Sequence, residues 1–358
     1  MIKNITNWLL FFVMVFFISC SSDDDITETP NLPEGDYTNG FFVLNEGGFT
    51  YSNASVSFIS EEGTVYNSIF STENNRELGD VAQSMNFNEN LAFIVVNNSN
   101  TIEVVNRYTF KYVTTIEEQI LNPRHIIFED NLAYVTNWGD PADTSDDYIA
   151  IINLETYEVT QVIDVPEGPE KMVKANGKIY VAHKGGWGYG NSISVINIST
   201  QTLEGNIEVN DVPTNLIVED NFLYVLCSGK ESWTGEETKA GIFKINLATQ
   251  TVEQELAFLE GVHPNFLVKN NNDLHYIIDK DIYQINLSDF SLPAEPLFST
   301  EEQNIAVLYA FNIYNNVIYI ADAKDYTSNG KILTYSIEGE LLQNYSVQLI
   351  PNGFYFNN

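Results

Sequence analysis

The sequence predicts an all-β fold, a seven-bladed β-propeller of four-stranded antiparallel blades, with the C-terminal strand joining the N-terminal blade to close the ring. Three observations predict it. A two-strand pattern recurs six times at a spacing of roughly 44 residues, the length of a propeller blade. Each copy is followed by two more alternating runs, which makes four short strands per unit. The two ends of the chain hold complementary fragments of one further unit.

The copies begin at Ala82 (AQSMNFNENLAFIVV), Pro123 (PRHIIFEDNLAYVTN), Pro169 (PEKMVKANGKIYVAH), Pro213 (PTNLIVEDNFLYVLC), Pro264 (PNFLVKNNNDLHYII) and Leu308 (LYAFNIYNNVIYIAD). Within them, EDN and ANG separate two apolar runs. Asn, Asp and Gly tolerate positive φ, so these triplets read as tight hairpin turns. The third runs are TIEVVN, YIAIINL, SISVINI, GIFKINL, DIYQINL and KILTYSI, and a weaker fourth run follows, such as EVTQVIDV. Helical spacing is absent from every copy. At the N-terminus GFFVLNEG, ASVSFIS and GTVYNSIF match runs two, three and four, and at the C-terminus PNGFYF starts like run one. Pairing them gives the seventh blade and leaves no open sheet edge in the ring.

The domain plan is a signal peptide over 1–19, a lipidated acidic tether over 20–39 and the propeller over 40–358. Trp8 to Ile18 is an apolar run of eleven residues, short of the roughly 20 needed to span a bilayer and of the right length for a secretory leader. Cys20 follows it and looks like the lipidated cysteine of a lipobox. Ser21 to Asp25 resembles the acidic export tag of surface lipoproteins in some Gram-negative bacteria, so the expected location is the outer membrane, facing the medium, held by the lipid anchor alone. Residues 21–39 have no hydrophobic periodicity and are rich in Asp, Glu, Thr and Pro, as in a flexible tether.

The chain carries 49 acidic and 16 basic residues, a net charge of −33. Nucleic acid is excluded as a partner, because binding it requires Lys and Arg to replace counterions. Cys227 is the one cysteine besides Cys20. It lies in the apolar run FLYVLC and is expected to be a buried free thiol without nucleophilic character.

YVTN at residues 134–137, with the NLAYVTN and VINISTQT patterns around it, resembles the YVTN/YncE-like seven-bladed propellers from about residue 40 to the end. VLNEGGFTYSNASVSFIS, residues 43–60, is similar to the first blade of a group of surface propeller lipoproteins, a domain of unknown function, that includes the corrinoid-capturing BtuG. The resemblance implies a vitamin B12-like corrinoid held on one propeller face for a TonB-dependent outer-membrane transporter. It implies a binding protein without a cofactor, not an enzyme. A surface binder of glycan or protein is the alternative, and a funnel-centred metal-dependent hydrolase is a second. No HExxH, CxxC or GxSxG occurs, and no carboxylate recurs where the first runs start.

The ligand face is predicted by the aromatics. Loops from run two to run three share a face with the loops between blades. Trp138, Trp187 and Trp233, the three tryptophans beyond the leader, all lie in such loops, joined by Phe49, Tyr51, Tyr189 and Tyr326. Large aromatics on loops of one face suit a binding platform. Arg124, His125, Lys171, Asn215, Asn265 and Asn352 come from the inter-blade side. Asn45, Asn97 and Asn137 are expected at matching ends of run two, and His183 stands at another. Asn and Arg give directional hydrogen bonds to amides and carbonyls, and a corrin ring is a flat apolar body with a rim of amides. GGWGYG (185–190) lacks the GxGxxG spacing and reads as a mobile aromatic loop. DPADTSDD, with Asp140, Asp143, Asp146 and Asp147, lacks EF-hand spacing and reads as a solvated acidic loop, not a metal site.

Overall fold

The computed structural model describes residues 35–186 and 188–357. The leader, Cys20, most of the tether and Trp187 lie outside the described residues. Among the described residues twenty-eight strands form seven four-stranded antiparallel sheets. Blade A pairs β28 (Pro351–Asn357), β1 (Gly40–Asn45), β2 (Ser55–Ser60) and β3 (Val65–Tyr66). Blade B runs from β4 (Ala82–Asn88) to β7 (Tyr112–Ile116). Blade C holds β8 (Pro123–Glu129), β9 (Leu132–Asn137), β10 (Tyr148–Asn153) and β11 (Glu158–Asp164). Blade D holds β12 (Pro169–Ala175), β13 (Lys178–His183), β14 (Ser192–Asn197) and β15 (Thr202–Glu208). Blade E runs from β16 (Pro213–Glu219) to β19 (Thr251–Ala257), blade F from β20 (Asn265–Asn270) to β23 (Phe298–Ser299), and blade G from β24 (Leu308–Tyr314) to β27 (Leu341–Leu349). All six copies and the split seventh blade fall where the repeat places them.

The core lies between blades. Each of seven apolar clusters draws on two neighbouring blades, so the chain has a ring of seven interfaces. This explains the burial patterns. The second and third strands are covered on both faces, and LAFIVV and LAYVTN are buried almost throughout. The outer strand β11 alternates exposed and covered residues, because only one of its faces meets a neighbour. Asp130, Asn176 and Asp220 hold positive φ in the first hairpins, as the EDN and ANG triplets require. A further repeat signal is the Asn that ends the third run. Asn106, Asn153, Asn197 and Asn246 each accept backbone N–H groups two or three residues on, Asx-turns that reverse the chain into the fourth strand.

The ring closes through β28 against β1, with Phe41 opposite Phe356 and Val43 opposite Phe354. Phe356 stacks on Tyr314 of blade G at 4.1 Å. Two details differ from expectation. Of GTVYNSIF only Val65–Tyr66 is strand. Ile69–Asn74 is a short helix, α1, whose Ile69 and Phe70 fill the interface of blades A and B. Tyr37, placed in the tether by composition, is buried at the same interface, edge-on to Phe58 and Phe110. Its ring is the apolar anchor that a tether lacks, so the ordered unit starts before residue 40.

Candidate functional site

In each blade the first strand lines the central channel. The loops between strands two and three open on the same face as the loops between blades. On that face lies a funnel of about 780 Å³, to which all seven blades contribute, within the usual size of small-ligand sites of roughly 300–1,000 Å³.

The wall formed by blades C and D is the most organised. Arg124, the second residue of β8, lies 3.9 Å over the Trp138 ring. Its guanidinium donates to Glu170 Oε1 at 3.0 and 3.2 Å, and His125 Nε2 meets Glu170 Oε2 at 3.2 Å. Trp138 Nε1 donates to the Pro169 carbonyl at 3.1 Å. Burial raises the Glu170 carboxyl, but Arg124, then His125, outweighs it and holds the group well below the usual carboxylate range. Burial likewise lowers the His125 imidazole. Across the funnel, Tyr309 donates its hydroxyl to Glu46 at 2.9 Å. Burial pushes both groups up.

The loop carrying Phe49 and Tyr51 is fixed from blade B. Asp80 accepts Thr50 N–H at 2.9 Å and the Asn98 amide at 2.6 Å. Phe49 lines the funnel while 65% exposed, and Tyr51, 77% exposed, does not line it. Trp233 (76%), Tyr189 and Tyr326 are exposed and do not line the funnel; Tyr326 meets the lining residue Tyr309 edge-on at 5.7 Å, and Lys230 lies over Tyr189.

Of the residues singled out in the sequence, Phe49, Asn97, Arg124, Trp138 and Lys171 line the funnel, with His125, Asn215, Asn265 and Asn352. Asn45, Asn137 and His183 do not. They are buried inside the blades. Asn45 donates to Ser57 Oγ at 3.0 Å, Asn137 holds Leu121 N–H and the Val135 carbonyl, and His183 pairs with Ser194 Oγ at 2.7 Å, which donates on to Asn206. Side chains alternate along a strand, so the cavity-facing residue is the next one: Glu46, Trp138 or Lys184. Asn97 faces the cavity because it stands one place beyond Asn45 and Asn137 in the repeat, not level with them. Glu46, Glu170, Lys184 and Tyr309 line the funnel without having been picked from the sequence.

Two loops gain detail in the structure, and one residue, Asp147, departs from the solvated reading of its loop, whose Asp140 and Asp143 are exposed. GGWGYG is braced at its base, with Gly190 N–H on the Lys184 carbonyl and Lys184 N–H on that of Gly168. A Cβ at Gly185, where φ is +85°, would strike the Gly190 backbone. In the acidic loop Asp147 is buried, accepts Gly168 N–H at 2.6 Å, and is pushed by burial up to about 6. Among the described residues no group of three or more His, Cys, Asp or Glu is placed to hold a metal. Cys227 is a buried free thiol, raised well above its ordinary value by burial.

These placements give a pH dependence. Burial lowers His183 and His275 from 6.5 to about 4 in the folded chain. The unfolded chain therefore binds more protons between those values, and stability rises with pH across that window, by on the order of 3 kcal/mol for each histidine. Asp147, raised from 3.8 to about 6, opposes this over the same range, because its ionised form is the one destabilised by folding. Denaturant melts from pH 4 to 7 are expected to show a net gain. His183→Gln and His275→Gln flatten it, and Asp147→Asn steepens it.

A family model described as a domain of unknown function, DUF5074, matches residues 39–258, from β1, β2 and β3 of blade A through to the end of blade E. The chain belongs to the DUF5074 family. No curated protein matches this DUF5074 chain. Among solved structures it is similar to a quinonprotein alcohol dehydrogenase-like protein from Bacteroides thetaiotaomicron, at 16% identity and TM-score 0.66 over 90% of this chain and 79% of that one. It is also similar to a protein of unknown function from Desulfotomaculum acetoxidans, at 13% identity and TM-score 0.64 over 89% and 99%. A third is the dihydro-heme d1 dehydrogenase NirN, at 12% identity and TM-score 0.57 over 91% and 76%. At these identities the likeness concerns the propeller fold alone.

Proposed function

We propose that this DUF5074 chain is a surface-anchored capture protein that binds a small amide-rimmed ligand, a corrinoid, in the funnel and passes it to a TonB-dependent outer-membrane transporter. The observation that carries the reading is the funnel of about 780 Å³ lined by the exposed ring of Phe49 and by Trp138 and Arg124 in its wall. Apolar ring faces give a flat ligand contact area, and Arg and Asn groups match a rim of amides. The similarity of residues 43–60 to corrinoid-capturing surface propellers supports the ligand class. The run from Trp8 through Cys20 to Asp25 supports lipid anchoring at the outer surface. Binding without turnover accords with the carboxylates of the funnel, each held by a protein partner.

Trp233 and Leu259, 76% and 79% exposed outside the cavity, favour a second reading, in which the same face takes a glycan by stacking. Calorimetric titration of the mature chain with cyanocobalamin decides between them. Sub-micromolar binding at one site per chain is expected. No heat at several temperatures, with binding on a glycan array, overturns the corrinoid reading. Protease treatment of intact cells tests the location. Loss of the propeller from intact cells is expected, and protection contradicts surface exposure.

A further inference from the structure

The funnel is locally basic in a chain that is strongly acidic. Its lining holds three fixed cations, Arg124, Lys171 and Lys184, against two carboxylates, Glu46 and Glu170, although acidic residues outnumber basic ones by 49 to 16 in the whole sequence. Both carboxylates are engaged, Glu170 by Arg124 and His125 and Glu46 by Tyr309. Lys171 and Lys184 have no ion pair and no side-chain hydrogen bond among the described residues. Elsewhere Lys174, Lys178, Lys230, Lys269, Lys280 and Lys331 each meet a carboxylate, and the lysines among the described residues that meet none outside the funnel, Lys111, Lys239, Lys244 and Lys324, do not line a cavity with a second unpaired lysine.

Lys171 is the third residue of β12 and Lys184 follows β13, so both belong to blade D and open on the same stretch of wall. Burial lowers the Lys171 ammonium, Glu170 offsets part of that, and repulsion by Lys184 adds to the lowering, so the two lysines are close enough to feel each other. On the neighbouring blade, Asn215 donates only at 3.4 Å, to the Leu267 carbonyl, which leaves its amide weakly engaged beside them. Two like charges facing one cavity are unfavourable for the empty fold, and the one carboxylate that acts on both, Glu170, is already bonded to Arg124 and His125. Exposed charges beyond a Debye length of about 8–10 Å are screened by salt, so the local cations set the field that a bound group meets.

We infer that Lys171 and Lys184 form an oxyanion subsite on the blade D wall, which takes a phosphate or carboxylate group carried by the ligand, with Asn215 as a neutral donor. Compact ammonium groups suit such an oxyanion as point charges. The inference rests on the funnel being the ligand site and adds the charge class of what it takes.

The test uses the full mature chain, wild type and Lys171→Met/Lys184→Met, titrated at low salt with inorganic phosphate and with acetate. Cyanocobalamin, which carries a phosphodiester, and dicyanocobinamide, which carries none, are titrated in parallel. One of the two simple anions is expected to bind wild type, weakening as salt rises, and to lose about tenfold or more in the variant. Which anion binds separates the phosphate source from the carboxylate source. The variant is expected to melt no lower than wild type, since a repulsion has been removed, which guards against loss by misfolding. Neither anion binding wild type, or equal affinity in the variant, overturns the subsite, even if both corrinoids bind. Anion binding that depends on the two lysines, with no corrinoid binding, upholds the subsite and overturns the corrinoid reading.

Discussion

A chain ending at Ile350 is expected to lose its cooperative fold. The deletion removes β28, the inner strand of blade A, and leaves β1 without the partner it meets from Gly40 to Asn45. Phe354 leaves the interface of blades G and A, Phe356 its stack on Tyr314, and Tyr355 the hydrogen bond its hydroxyl accepts from Met85 N–H at 2.9 Å. Losing a buried aromatic side chain such as Phe354 costs about 3–5 kcal/mol, and with the half-buried Tyr355 and Phe356 and the β1 ladder lost as well, the loss is large against the whole stability of a typical domain, about 5–15 kcal/mol. Asn357, held by Arg107, is lost as well. A circular dichroism melt should show no sharp transition. A transition like that of the full chain would mean that the ring does not depend on closure.

Glu170→Ala carries the second large effect. It leaves Arg124 and His125 facing each other in a confined wall, with Arg124 only 13% exposed. Breaking a buried pair by removing one partner costs about 3–5 kcal/mol. Arg124 is then free to leave the face of Trp138, so ligand affinity should fall with stability. The sign of the pH dependence follows from the lowered folded value of Glu170. Its contribution is present above the ordinary carboxylate value of 4.5 and is lost as pH falls toward the folded value. Urea melts at pH 7 should separate wild type from Glu170→Ala widely, and melts at the acid limit should bring them together. Glu170→Gln, which keeps the hydrogen bonds, should fall between the two.

The fold was legible because a propeller writes its geometry once per blade. Inward apolar residues, hairpin triplets such as EDN and the Asn after the third run recur with the period of the structure. Ring closure was legible from fragments such as PNGFYF, which lacked neighbours in sequence. The short helix at Ile69–Asn74 and the buried Tyr37 were not, because each occurs once and is fixed by contacts across blades A and B. The loop aromatics were visible as large rings in loop positions. The funnel wall was harder to read. Glu170 acts through Arg124 of the preceding blade and Glu46 through Tyr309 of blade G, and no period in the chain announces such pairs. The strand alternation that buries Asn45, Asn137 and His183 was readable in principle. Its phase at a strand end depends on where the strand stops, and a shift of one residue exchanges a blade interior for a cavity.

The central claim is that the ligand sits in the funnel between Phe49 and Trp138. The measurement is calorimetric titration of cyanocobalamin into wild type and into Phe49→Ala/Trp138→Ala, with melting temperatures recorded for both. The account predicts one site per chain in wild type and an affinity lower by about a hundredfold in the variant, some 2.8 kcal/mol, with the fold retained. Equal affinity in the two proteins would place the ligand elsewhere on the molecule and contradict the account.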